Sequence, residues 1–149
     1  MGIQFRLAEK EDCELLYKWV NDPVVRQNSF NSNPIKYEDH KNWFYKKIRA
    51  EKCIFLIVLV NDEPIGQIRL DIKGDVAIVN YSVDEQYRGR GYGTQILINI
   101  PKIIKKYNLH VNKVIGKVKL SNFASQKAFE KAGYERKKFS DYIKYSKNI

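Results

Sequence analysis

Apolar and polar residues alternate in Ile3-Gln4-Phe5-Arg6-Leu7, which predicts a first strand with one buried face. From Glu11 to Asn21 the period lengthens, with Leu15, Leu16, Trp19 and Val20 at helical spacing. Asn21-Asp22-Pro23 ends that helix, because a residue before proline resists helical geometry. Residues 22–35 show no apolar stripe and are expected as a polar loop. A second helix is predicted from about Tyr37 to Ile48, with His40, Phe44 and Ile48 on one stripe and Trp43 beside them. Three strands follow. Ile54 to Val60 is almost continuously apolar, Asn61-Asp62-Glu63-Pro64 reads as its turn, and Ile65 to Ile72 alternates. Lys73-Gly74-Asp75 predicts a tight hairpin into Val76–Val83. A helix beginning near Thr94 places Ile96, Leu97, Ile100, Ile103, Ile104 and Tyr107 on one side, and Pro101 within it predicts a kink. Val114 to Leu120 is the next strand, joined by a right-handed crossover. Ser121 or Asn122 can cap a further helix and Gly133 can end it. Tyr134–Phe139 and Tyr142–Ser146 make a closing hairpin. One mixed sheet flanked by helices results, of α/β or α+β class, expected as one domain over residues 1–149.

The junction after Val83 carries the chemistry. In Arg88-Gly89-Arg90-Gly91-Tyr92-Gly93-Thr94, three glycines at alternate positions leave the backbone bare where strand becomes helix. Bare backbone lets successive N–H groups converge on one anion, and Arg88 and Arg90 add fixed charge for phosphate oxygens. The dinucleotide fingerprint is excluded, since its third glycine would fall on Thr94, and no Gly-Lys-Ser/Thr triplet makes a P-loop. The stretch is suited to a diphosphate.

Charge sharpens this picture. The chain has 149 residues and a net charge of +10. The first 100 residues hold 14 basic and 14 acidic side chains, whereas residues 101–149 hold 13 and 3. That basic third either attracts acidic ligands or is a solvated lysine surface. No apolar run is long enough to span a bilayer, and the first residues lack a signal peptide's apolar stretch. Cys13 and Cys53 lack metal-ligand spacing and read as buried thiols in a reducing cytoplasm; no metal is expected.

Arg88-x-x-Gly91-x-Gly93 resembles the R/Q-x-x-G-x-G/A signature of the GNAT acetyltransferases. Asn122-x-x-Ser125-x-x-x-Phe129-x-Lys131-x-Gly133-Tyr134 resembles that superfamily's second motif, and the order of predicted elements matches over essentially the whole chain. The resemblance implies a mostly antiparallel mixed sheet of about seven strands flanked by four helices, its fourth and fifth strands parallel but splayed apart. It implies acetyl-CoA as cofactor, with coenzyme A as product. Its diphosphate would lie on Arg88, Gly89, Arg90, Gly91, Gly93 and Thr94, with Val83 and Asn122 beside the rest. A backbone N–H near Val83 can polarise the thioester carbonyl when an amine attacks.

A ribosomal-protein-acetylating branch of the superfamily carries a tyrosine acid seven residues after the motif asparagine and a glutamate base five before it. Here those positions are Phe129 and Lys117, neither able to do that work at neutral pH. Ser125 is then the nearest hydroxyl for the departing thiol, unless it only satisfies its own helix backbone. Phe129→Tyr should be tolerated on this reading.

The segment from Trp19 to Trp43 resembles amino-sugar-nucleotide acetyltransferases of pseudaminic and legionaminic acid synthesis. On that resemblance Asn21, Arg26, Asn28, Phe30, His40 and Trp43 would meet the acceptor, with amides for sugar hydroxyls, aromatics for a ring face and Arg26 for phosphate. The alternatives are turn chemistry for the loop residues and packing for His40. The expected partner is a small-molecule amine, a nucleotide sugar ahead of a protein N-terminus; a second copy of the chain is a possible partner, while membrane and nucleic acid are not expected. A non-catalytic acetyl-CoA-sensing or RNA-docking module is the reading from another class.

Overall fold

The computed structural model describes residues 2–149. Seven strands form one sheet: β1 (Gln4–Leu7), β2 (Cys53–Val60), β3 (Glu63–Lys73), β4 (Val76–Val83), β5 (Lys113–Lys119), β6 (Glu135–Lys138) and β7 (Tyr142–Asn148). Their spatial order is β1-β2-β3-β4-β5-β7-β6. Every neighbouring pair is antiparallel except β4 and β5, which run parallel. The fold class and the one parallel pair are as expected.

Helices are divided more finely than the four expected. They are α1 (Cys13–Val20), α2 (Pro23–Asn28), α3 (Tyr37–Lys47), α4 (Tyr92–Ile98), α5 (Ile100–Lys106) and α6 (Phe123–Lys131). The loop expected over residues 22–35 contains α2, which Asp22 nucleates by accepting from the N–H groups of Val24 and Val25, with Pro23 at the first helical position. Periodicity could not show α2, since none of its residues is buried. The kink expected at Pro101 is a break: Asn99 ends α4 and begins α5, so the proline occupies a first-turn position where its missing donor costs nothing. Glu63 and Pro64 belong to β3 rather than to the turn. Glu63 pairs with Val60, and Asn61 and Asp62 alone make the turn, both at positive φ. Pro64 is tolerated beside the irregularity at Val58/Leu59.

The sheet is covered on both faces where β2 runs, which is why that strand is apolar throughout. Its Leu56 and Val58 join the larger core with Ile68, Leu70, Ile96, Ile100, Phe129 and Tyr145. Its Cys53, Phe55 and Ile57 meet Leu16, Trp19 and Phe44 from α1 and α3. Each such side chain contributes roughly 1.5–3 kcal/mol by leaving water. Strand register carries this division across the sheet. Phe55, Arg69 and Asn80 form one row, and Ile57, Gln67 and Ser82 the next, on the α1–α3 face. Tyr81 pairs with core residue Ile68 and lies on the α4–α6 face.

Candidate active site

The parallel pairing of β4 with β5 covers only Val76–Ile78 against Lys113–Ile115. Beyond Ile78 the strands part. Asp84 N–H donates to Ile65 O at 2.7 Å, which sets the phase of the β3–β4 ladder. By the alternation of an antiparallel pair, Tyr81 and Val83 then direct their backbone N–H and C=O away from β3, into the opening. Val83 brings its main chain to this opening, with its carbonyl held by Arg88 Nε at 3.0 Å.

At the mouth of this opening Gly89 and Gly91 adopt φ of +76° and +83°, and an added Cβ at either would meet nothing within 4 Å. Gly91 is the residue before α4, so the amides of Tyr92, Gly93 and Thr94 have no partner within their helix. Bare backbone beside open space fits a diphosphate. Arg90 is exposed, its guanidinium 5.5 Å from the Tyr87 ring centroid, and is the loop's available cation. Arg88 does not share that role. Besides Val83 O it contacts Asp22 Oδ1 at 3.0 Å, so it ties the end of β4 to the start of α2. Gly93, in the first turn of α4, also has a packing role: its missing side chain admits the Tyr81 ring, 3.3 Å from where a Cβ would be.

Ser125 Oγ lies 2.8 Å from Tyr81 Oη, so its hydroxyl is paired outside its own helix backbone. Asn122 Oδ1 accepts from Ser125 N–H at 3.2 Å, so the motif asparagine caps α6 and fixes the serine. Burial pushes the Tyr81 hydroxyl up to about 12, partly offset by Ser125. Tyr81 is the functional candidate that sequence reading missed. One signal was available: in the core-facing alternation Ala77, Val79, Tyr81, Val83 it is the single member with a polar tip. Phe129 stacks on Tyr145 at 4.9 Å and is 2 % exposed, so the position of the other branch's acid is a packed core ring.

The expected acceptor residues separate into two groups. Four are engaged within the protein. Arg26 donates to the carbonyls of Val20 (2.6 Å), Asn31 (2.9 Å) and Asn33 (3.2 Å), so its guanidinium organises the loop after α2 instead of facing a phosphate. Asn21 clamps that loop by donating to Ile35 O and accepting from Ile35 N, both at 2.8 Å. His40 is 3 % exposed, with Nε2 3.2 Å from Cys13 O and its ring stacked on Phe44. Burial lowers its pKa, leaving a neutral imidazole enclosed under α1. Trp43 packs on Phe55 and carries the Arg69 guanidinium 4.9 Å from its centroid. The sequence could not reveal this, since each partner is a backbone or core group brought in by folding. Asn28 is half-buried at the end of α2, and Phe30 is 58 % exposed with its ring edge-on to Tyr142 at 6.3 Å.

On the same face, Gln67 Nε2 donates to Asn80 Oδ1 (3.0 Å) and Ser82 Oγ (3.2 Å), while its Oε1 is buried with no hydrogen-bond partner. A buried acceptor without a donor marks a place where a polar group belongs. Asp84 accepts from Trp19 Nε1 at 2.8 Å. Burial opposes its charge, but the Gln86 amide, Trp19 and nearby Lys18 and Arg88 hold its carboxyl below the usual range, making it a poor base. No cluster of metal-ligating side chains occurs among the described residues.

A family model described as an acetyltransferase (GNAT) domain matches residues 3–135. No curated protein matches the sequence. Among solved structures, the fold is similar to AAC(6')-Ib in complex with ribostamycin and coenzyme A, at 19 % identity over 99 % of this chain and 94 % of that one, TM-score 0.86. It is also similar to RimL, a ribosomal L7/L12 alpha-N-protein acetyltransferase bound to coenzyme A, at 15 % identity over 100 % and 95 %, TM-score 0.85. A spermidine N-acetyltransferase from Vibrio cholerae, in complex with CoA and spermine, gives 16 % identity over 99 % and 95 %, TM-score 0.84. At such identities the likeness speaks for the fold, which agrees with the splayed strands and the glycine loop. Since the family model spans most of the sequence, the chain belongs to the GNAT acetyltransferase family.

Proposed function

We propose that the chain, acting as one cytoplasmic domain over residues 1–149, catalyses direct acetyl transfer from acetyl-CoA to a primary amine, that of a nucleotide-linked amino sugar. The observation that carries the reading is the two-sided slot between β4 and β5. On its α4–α6 side lies the Tyr81–Ser125 pair, and on its α1–α3 side lies the polar floor of Gln67, Asn80 and Ser82. Acetyl-CoA, when bound, supplies the activated acyl group. Residues of this chain then hold amine and thioester together, which is worth many orders of effective concentration. Val83 N–H polarises the carbonyl, and Ser125 Oγ, held in line by Tyr81 Oη, delivers a proton to the departing sulfur and recovers one from solvent. The buried Gln67 Oε1 accepts from the incoming ammonium. A sugar amine with electron-withdrawing neighbours is more acidic than a lysine's, so its proton passes to solvent without a carboxylate base. Both cysteines are buried free thiols, which supports a reducing setting.

The test compares kcat/KM for a UDP-linked 4-amino-6-deoxy sugar with that for peptides bearing free N-terminal Ala or Ser. The sugar nucleotide is expected to win by at least tenfold. Equal or better turnover of the peptides replaces this reading with protein N-terminal acetylation, and no turnover of any amine despite CoA binding makes the domain a sensor.

A further inference from the structure

Strand register aligns three lysines across the open half of the acceptor face. Lys117 of β5 pairs with Lys144 of β7, which pairs with Lys137 of β6. Neighbouring strands lie about 4.8 Å apart, so the row places three like charges within about 10 Å. Like charges directly opposite one another destabilise a sheet, and no ion pair among the described residues involves any of the three. The acid nearest in register, Glu135, lies one row away opposite Ser146. On the other side of the row is an aromatic ledge. Tyr142 stacks on Phe139 with centroids 4.8 Å apart, and the exposed Phe30 meets Tyr142 edge-on from the loop after α2. The Lys117 and Lys137 ammonium groups lie 5.2 and 5.3 Å from the Tyr142 and Phe139 centroids.

A solvated lysine surface has no need of in-register cations or of an exposed ring such as Phe30 beside them. An anion chain with a flat group at its end needs both: charge neutralisation for the one and a ring face for the other. We infer that the row Lys117–Lys144–Lys137 with the Phe30–Tyr142 ledge is a subsite for a nucleoside diphosphate, the part of the acceptor distal to its amine. This rests on the acceptor reading above. Lys117 lies two residues beyond Ile115, where β5 leaves β4, so a ligand held here enters the slot from its open face. The same geometry answers the loss of Arg26 as a phosphate contact, because the cations come from the sheet instead.

The experiment is calorimetric titration of UDP into protein already saturated with CoA, so that the cofactor's own nucleotide site is blocked. One UDP is expected to bind per chain. Lys117→Gln/Lys144→Gln should weaken it at least tenfold and flatten its salt dependence, and Tyr142→Leu should weaken it several-fold. CoA affinity, and acetylation of a free amino sugar without a nucleotide, should stay within twofold of the unmodified protein. Failure of UDP to bind the CoA-saturated protein, or binding indifferent to the double substitution, overturns the subsite. A Lys144→Gln protein gives a second check where the double variant folds poorly. Transfer and subsite fail separately: lysine-dependent UDP binding without any acetyl transfer sinks the catalytic reading and leaves the subsite standing, whereas transfer to free amines without UDP binding does the reverse.

Discussion

Ser125 and Tyr81 lie 44 residues apart in sequence and 2.8 Å apart at their hydroxyls. Ser125→Ala should lower kcat by roughly ten- to a hundredfold while the KM for acetyl-CoA moves less than about twofold, as expected for a group acting only on the leaving thiol. Tyr81→Phe keeps the ring against Gly93 and Phe129 and should lower kcat by a smaller factor. If both substitutions are kinetically silent, solvent protonates the sulfur. The raised pKa of Tyr81 also sets a pH range. Burial lifts it from 10.0 to about 12, so its neutral hydroxyl contributes stability that is full below about pH 10 and is lost as pH rises through 12. Neither kcat nor folding should show a Tyr81-dependent alkaline fall below pH 10. Phe129→Tyr, harmless from the sequence alone, becomes costly in the fold: the Cζ end of the ring faces Gly116, where even a Cβ would collide. We expect a loss of about 1–3 kcal/mol in a denaturant melt, from overpacking.

At the scale of elements, the glycine loop and α2 are coupled. Gly91→Val would strain a left-handed residue as well as fill the open space, so a fall in CoA binding would carry two causes. Gly91→Asn is the sharper probe, since asparagine tolerates positive φ. CoA affinity by calorimetry should fall at least tenfold with the melting temperature within a few degrees, and unchanged affinity would remove the loop from the diphosphate site. Arg88 joins the end of β4 to Asp22, which also caps α2. Arg88→Gln should therefore raise the KM of the acceptor together with that of acetyl-CoA, where loss of a simple phosphate contact would raise only the latter.

The whole molecule's response to acid involves three carboxylates held below their ordinary range, Asp84 beside the slot and Asp71 and Asp12 in ion pairs. For Asp71, burial opposes the charge, but Lys47 at 2.9 Å and Arg69 at 3.0 Å outweigh it and hold the carboxyl below its ordinary value. Asp12 behaves alike against Arg6 at 2.8 Å. Lowered folded values mean stability that is present above the ordinary carboxylate pKa near 3.8 and is lost as pH falls through the folded values. Asp71 joins α3 to the sheet, and its partners are mostly covered, so Asp71→Asn should cost about 1–2 kcal/mol at pH 7. The Asp12 pair counts for less, because Arg6 is 39 % exposed. Denaturant melts from pH 2 to 7 should show a shallower acid limb in Asp71→Asn; an unchanged limb would place the acid sensitivity elsewhere.

Periodicity and glycine spacing determined the seven strands, the main helices and the glycine loop after Val83, because these follow from local geometry that each short segment carries in itself, while the parallel pair came from the family resemblance. Asn122 as a cap and Gly133 as a left-handed helix end belong to the same local class. What only the tertiary structure decided is where side chains find partners. Arg26 looked available for phosphate until the loop after α2 folded its carbonyls around it, and Arg88 until Asp22 met it. His40 was open to acceptor contact or to packing until Cys13 O and Phe44 enclosed it. Tyr81 was unremarked until α6 brought Ser125 to it, and three lysines spread over 28 residues became one row only through the register of β5, β7 and β6. Hydrogen bonds and charge rows depend on distances of a few ångströms between segments remote in sequence, and those distances are set by strand register and helix packing, which no single segment encodes.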